Sequence, residues 1–231
     1  LRTLKFDLHT HTNNSPKCGF LTPEKLVKKA ISRRLDGIAV TDHDTIKGAL
    51  EARKFETENF KVIVGCELMT TKGEIIGLFL NEEIKSRDPF EAISEIHKQG
   101  GIVVVPHPFD KFRSSRFNNV DSIVHLLDGI EVLNSRCLKN ESNEDARKYA
   151  LKKQKDYNLV MLAGSDAHFS NEVGHAYNEI NVDNEAYDKD PMQALKVSIL
   201  AGNVDVSGRK SSLINHAGTK LLKWKKRYVS Y

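Results

Sequence analysis

The chain has 231 residues, 39% of them hydrophobic and 29% charged, which describes one sizeable domain or one domain with an appendage, neither disordered nor fibrous. No apolar run approaches the roughly 18 residues of a membrane span, and the first six residues lack the apolar core of a signal peptide. Lys plus Arg at 35 against Asp plus Glu at 31 leaves a net charge of +4, which permits anionic ligands without demanding them, while three scattered cysteines are too few for a disulfide framework. A reducing cytoplasm is the expected compartment.

Short runs rich in Val and Ile alternate with amphipathic segments. A first strand is expected over residues 4–9. Thr22-Pro23-Glu24 then reads as an N-cap, a proline at the first helical position and an early acid, opening a helix to about Arg34. Strands follow at 37–41, 61–65 and 75–79. Asp88-Pro89 opens the next helix, with Ala92, Ile93 and Ile96 inward and Gly100-Gly101 as its stop. Strands at 102–105, 129–133 and 159–163, a candidate eighth at 177–180, and helices at 142–155 and 191–200 complete the alternation. Several strands are apolar on consecutive residues, which suits a sheet covered on both faces. No linker divides the chain, so the pattern predicts one α/β domain, barrel-like or doubly wound.

In such folds the working groups project from the loops that follow the strands. Five of the nine histidines fall there: His9, His11, His43, His107 and His168. Carboxylates join them in Asp7, Asp42, Asp44, Glu67 and Asp166. In Asp7-Leu8-His9-Thr10-His11, strand alternation sends the acid and both imidazoles to one side, a donor set that suits a divalent metal of borderline softness. Thr41-Asp42-His43-Asp44, Gly65-Cys66-Glu67, Val105-Pro106-His107-Pro108 and Gly164-Ser165-Asp166-Ala167-His168 repeat that chemistry at four further strand exits. His97, His125 and His216 lie outside the pattern and read as structural. Cys66 and Cys137 read as buried small apolar residues.

Taken together, Asp-Leu-His-Thr-His at 7–11, Thr-Asp-His-Asp-Thr at 41–45, Gly-x-Glu at 65–67, Pro-His-Pro at 106–108 and Gly-Ser-Asp-Ala-His at 164–168 resemble the PHP (polymerase and histidinol phosphatase) family. The resemblance implies a distorted seven-stranded (β/α)7 barrel over residues 1–207, followed by a basic tail or helix over 208–231. It also implies two or three divalent cations, zinc, manganese or iron, at the C-terminal ends of the strands. Transferred by position, His9, His11, Glu67 and Asp166 hold the first metal, Glu67 and His107 the second, and His43 with His168 the third. Two departures bear on metal identity. Many relatives carry an aspartate where alignment back from Leu21-Thr22-Pro23 puts Cys18, and a thiolate there would favour zinc or iron over manganese. Many also carry a histidine where this chain has Glu74, which keeps an oxygen donor and adds charge.

The activity the resemblance implies is phosphoester hydrolysis by a metal-bridged hydroxide, on a phosphorylated small molecule, a nucleotide or an RNA or DNA end. Asp7 and Asp42 are expected to serve catalysis by orienting imidazoles, or else to cap strand ends. His175 is the remaining catalytic candidate, near enough behind the last cluster to reach a substrate. Arg113, Arg116 and Arg136 are the candidate substrate-binding residues, since a guanidinium takes a phosphate by two hydrogen bonds. An amidohydrolase-like attack on a C–N bond is the competing enzyme reading, though no metal-bridging lysine stands at a strand end. A nucleic-acid-binding or nuclease module is the other, because Trp224 and Tyr228 accompany the basic cluster of Lys220, Lys223, Lys225, Lys226 and Arg227.

Overall fold

A computed structural model describes residues 1–15, 19–212 and 215. Cys18 and nearly all of the basic tail beyond Ser212 therefore lie outside the described residues.

Among the described residues nine strands form one sheet. Along the chain they are β1 (Arg2–Thr10), β2 (Gly37–Val40), β3 (Lys61–Thr70), β4 (Gly73–Leu78), β5 (Ile102–Val105), β6 (Gly129–Asn134), β7 (Val160–Gly164), β8 (Ala176–Val182) and β9 (Val204–Gly208). Their spatial order is β7-β6-β5-β4-β3-β2-β1-β8-β9. The helices are α1 (Pro23–Ser32), α2 (Lys47–Ala52), α3 (Pro89–Lys98), α4 (Asn140–Tyr157), α5 (Asn184–Lys189) and α6 (Pro191–Leu200). Three of them start with one device, a side-chain oxygen capping the first turn and a proline directly behind it: Thr22 accepts from the Lys25 amide, Asp88 from Phe90 and Glu91, and Asp190 from Gln193.

The sheet nearly closes on itself. Just past β7, the Asp166 amide donates to the His9 carbonyl (2.8 Å) and the His11 amide to the Ala167 carbonyl (3.0 Å). Asn178 on β8 staples the same seam: its Oδ1 accepts from the Ala163 amide, and its Nδ2 donates to the carbonyls of Phe6 and Ala163. The result is an α/β, barrel-like sheet, with two corrections to the expected (β/α)7 repeat. First, β3 does not stop at Gly65 but runs on through Glu67 to Thr70 and turns directly into antiparallel β4, with no helix between them. Second, β8 and β9 extend the sheet beyond β1, both antiparallel to their neighbours.

Apolar side chains cover both faces. Ile38, Val40, Val62, Val64, Val103 and Val105 pack with Leu26, Ala30, Ile93, Ile96 and Ala146 of the helices, whereas the residues between them, Ala39, Ile63 and Val104, join Phe6, Leu8, Leu78 and Leu162 with Leu195 and Ile199 of α6. That is the period of two expected of strands buried on both sides. It makes the sheet a rigid frame and leaves the strand exits as the place where polar groups can gather. Among the described residues no helix is long and apolar enough to cross a membrane.

Candidate metal centre

Six strands deliver side chains to one rim. β1 carries His9 one residue before its end at Thr10, with His11 just beyond it, and the loop after β2 brings His43. β3 carries Glu67, the turn after β5 brings His107, and the turn after β7 brings Asp166 and His168. Glu74 arrives differently. It stands at the start of β4, and because β4 runs antiparallel its first residues lie at the rim where the parallel strands end.

These eight side chains converge. The Nε2 atoms of His9 and His11 are 3.1 Å apart, and both lie 3.5 Å from Glu67 Oε2. Asp166 Oδ1 is 3.3 Å from His11 Nε2 and 3.4 Å from His168 Nδ1. Glu67 Oε2 faces His43 Nδ1 at 3.1 Å, and Glu67 Oε1 faces His107 Nε2 at 3.0 Å. Glu74 stands 3.7 Å from both His43 and His107. Among the described residues four three-residue groups offer ligand atoms within 4.8 Å of one another: His9, His11 and Glu67; His9, His107 and Asp166; His43, Glu67 and Glu74; and His11, His43 and His168. Seven of the eight residues are buried, and His43, with 23% of its side chain exposed, forms the open side.

The bonding in this pocket is incomplete in a specific way. His11 Nδ1, His107 Nδ1, Glu67 Oε2, Glu74 Oε2 and Asp166 Oδ1 are buried without a hydrogen-bond partner. Each such group costs about 1–3 kcal/mol when nothing compensates it. Cations do so, and imidazoles with carboxylates are the donor set that zinc, iron and manganese accept. The residues therefore fit a divalent metal centre.

Electrostatics point the same way. Burial would depress the His9 imidazolium, but Glu131, Glu67 and Asp166 outweigh it and hold its pKa well above the ordinary value. Burial would likewise raise Glu67, yet the histidines around it keep it well below the usual carboxylate range, and Arg113 and His9 do the same for Asp166. Glu74, buried beside the charge of Glu67, is pushed up to about 8. Burial and the neighbouring His11 push His168 well down. Backbone geometry is special here too. His107 and Asp166 hold positive φ (31° and 54°), a conformation that costs non-glycine residues free energy and persists where function requires it. At Gly164 an added Cβ would lie 2.2 Å from His9 Cβ and 2.6 Å from Glu131 Oε1, so only glycine lets β7 pass this close to the cluster.

The other expected residues separate. Asp7 is buried but bonds backbone amides, those of Ser165 (2.9 Å), Gly174 (2.9 Å) and His9 (3.3 Å), while burial lifts its carboxyl to about 6. Asp42 is bound by the amide and hydroxyl of Thr12 (2.6 and 2.5 Å). Among the described residues neither carboxylate hydrogen-bonds an imidazole. The capping alternative describes both, because the amides at these exits need acceptors. Arg113 enters the cluster, donating to Asp166 Oδ2 at 2.6 Å with 21% of its side chain exposed. Arg116 lines a neighbouring cavity of about 310 Å³ with Lys111, Phe109 and Tyr149. Arg136 is not presented to a substrate: it is buried against both oxygens of Glu172 (3.1 and 2.9 Å). His175 also falls away from the cluster, because the pairing of β8 with β9 turns it toward Arg209 and Ser211.

Sequence reasoning passed over Glu131. It accepts from His9 Nδ1 (3.0 Å), the His107 amide (2.8 Å) and Asn134 Nδ2 (2.9 Å). Accepting the Nδ1 proton turns the Nε2 lone pair of His9 into the cluster, as an outer carboxylate does for a metal-bound histidine. The available signal was a lone acid inside Gly-Ile-Glu-Val, an otherwise apolar strand.

The model of the PHP domain family matches residues 7–229. The chain belongs to the PHP domain family. Among its relatives is the uncharacterized protein MJ0417 of Methanocaldococcus jannaschii, 38% identical over 192 residues, which are 78% of this chain and 73% of the relative. The 5'-3' exoribonuclease Rnm of Escherichia coli is 40% identical over 68 residues, 28% of this chain and 22% of the relative. In fold, the PHP chain is similar to a two-domain protein from Bacteroides vulgatus containing a predicted PHP-like metal-dependent phosphoesterase. The TM-score is 0.73 and the identity 20%, over 90% of this chain and 65% of that one. The lesion-specific endonuclease EndoQ of Pyrococcus furiosus is also similar (TM-score 0.61, 16% identity), over 89% of this chain and 58% of that one.

Proposed function

We propose that this PHP chain is a metal-dependent phosphoesterase acting on a phosphorylated small molecule or a nucleotide end. The observation that carries the reading is the cluster of buried imidazole and carboxylate atoms at a single rim, several of them without a hydrogen bond. In this reading His9, His11, Glu67 and Asp166 hold one cation, and Glu67, Glu74 and His107 a second. His43 and His168 hold a third, with His11 beside them. Bound cations of this kind lower the pKa of water and offset charge on phosphoryl oxygens.

The chain's own residues supply the rest. Glu131 fixes the ring of His9. His168 donates Nδ1–H to the Asp166 carbonyl at 2.8 Å, which leaves Nε2 as its ligand atom. Arg113 positions Asp166 and puts a positive charge beside the place where phosphoryl oxygens would sit, and Arg116 extends that charge along the adjacent cavity. Substrate enters past His43. Support for a nucleic-acid end comes from the stretch shared with the exoribonuclease; support for the phosphoester class comes from the family and from the Bacteroides neighbour.

The test is metal analysis of the purified chain, then phosphate release from bis(p-nitrophenyl) phosphate and 5'-phosphorylated oligonucleotides after EDTA treatment and after return of zinc, manganese or iron. Turnover should vanish with the metals and return with at least one of them. Full turnover in EDTA, or in His9→Ala, would refute the assignment.

A further inference from the structure

The region around His175 has an organisation of its own. Arg33, Arg209 and Lys210 face one open cavity of about 400 Å³ that Asn171, His175 and Ser211 complete. Each cation is held in place by a neutral acceptor. Arg209 donates to His175 Nε2 at 3.2 Å, Lys210 to the Leu138 carbonyl at 3.0 Å and Arg33 to the Asn171 carbonyl at 3.4 Å. Among the described residues none of the three has a carboxylate within ion-pair distance, whereas Arg2, Arg87, Arg113 and Arg136 each sit on one.

The histidine completes the logic. A guanidinium can only donate, so His175 Nε2 must accept, and the ring is neutral with its proton on Nδ1, toward Ser211 Oγ at 3.4 Å. Burial, then the charges of Arg209 and Arg33, push its pKa below the ordinary value, which keeps it neutral. The arrangement orients positive charge while neutralising none of it. The backbone fixes it as well, since the Arg209 amide donates to the His175 carbonyl at 2.7 Å.

We propose that this cavity is a second phosphate-binding site, separate from the metal centre, with Arg209 and Arg33 as its principal ligands. It lies on the flank of segment 165–175, the same segment that carries Asp166 and His168, and the substrate kinetics below test whether a ligand with two phosphates spans both places. That the second phosphate belongs to the substrate rests on the phosphoesterase reading; that the cavity binds phosphate does not.

Titration calorimetry with inorganic pyrophosphate, on the full chain in EDTA, tests the site. Arg209→Ala and Arg33→Ala should each weaken binding fivefold or more, Arg209→Lys should retain most of it, and His9→Ala should leave it unchanged. Equal binding by wild type and both alanine variants overturns the proposal, as does binding that His9→Ala abolishes and Arg209→Ala does not touch. Kinetics then identify the source. A KM raised in Arg209→Ala for a 5'-phosphorylated dinucleotide, but not for p-nitrophenyl phosphate, assigns the pocket to the substrate's second phosphate. Unchanged KM values alongside lost pyrophosphate binding assign it to a free phosphate ligand. Calorimetry decides the site even where no phosphoester is turned over.

Discussion

Asp7, Glu131 and Glu172 are buried as deeply as Glu67, Glu74 and Asp166, at the same rim, yet the two sets are bonded in opposite ways. Asp7 takes three backbone amides; Glu131 takes an imidazole, an amide and a side-chain amide; Glu172 takes Arg136 and the amides of His168 and Phe169. Glu67, Glu74 and Asp166 each keep one oxygen with no hydrogen bond. A satisfied buried carboxylate holds a fold together, and an unsatisfied one costs free energy until something binds it. The difference separates Asp7 from Glu67 and Asp166, which sequence alone places in one class, and it sets the sizes of the effects that follow.

The largest effect belongs to the unsatisfied set. Asp166→Ala should lower turnover by a factor on the order of 10³ and reduce the bound metal. It should also abolish the rise in Tm that wild type shows on metal addition, since a cation that binds only the native state stabilises it. Metal analysis and paired melts with and without EDTA check all three. A variant that melts lower in EDTA but keeps its metal would place Asp166 with the structural acids.

Arg136→Ala probes the satisfied set. Stripping Glu172 of its guanidinium leaves a buried charge, which costs about 3–5 kcal/mol, or about 10 °C in Tm for a chain of this size. KM should hold at temperatures where the variant is folded. A raised KM with unchanged Tm would return Arg136 to the substrate.

That residue also shows where the sequence stops being legible. The five strand exits could be read because a parallel strand rich in Val and Ile fixes where its loop must emerge, and His9, His11, His43, Glu67, His107, Asp166 and His168 ride on those exits. Arg136 could not be read, because its partner lies 36 positions away in a loop whose path no local pattern records. Glu74 was reachable only through the family resemblance. Its placement depends on the β3–β4 hairpin, which the expected stop at Gly65 concealed. Weak, half-exposed Val-Asp-Val in β9 gave no strand signal, and without β9 the departure of His175 from the cluster has no visible cause.

Glu131→Gln divides the two sets more finely. The amide keeps the size and one acceptor but loses the charge that draws the His9 Nδ1 proton. Metal affinity should fall about 10- to 100-fold while Tm in EDTA falls by far less than in Arg136→Ala. Equal losses in both measurements would make Glu131 only a structural acid.

The smallest effect uses the same chemical pair at the other end of β6. His97 Nε2 lies 3.0 Å from Asp128 Oδ2, and this hydrogen bond, against a lesser cost of burial, holds the His97 pKa above 6.5. A histidine whose folded pKa is raised contributes stability that is fully present below its unfolded pKa and is lost as pH rises through the folded value. With 39% of the His97 side chain exposed, the contribution is a few tenths of a kcal/mol at most. NMR titration should show His97 titrating above 6.5, Asp128→Asn should bring it down, and added zinc should leave its resonances in place while moving those of His9. If zinc moved both rings, the metal would be binding histidines wherever they meet an acid, and the rim oxygens without a hydrogen bond would have lost their claim to be what selects it.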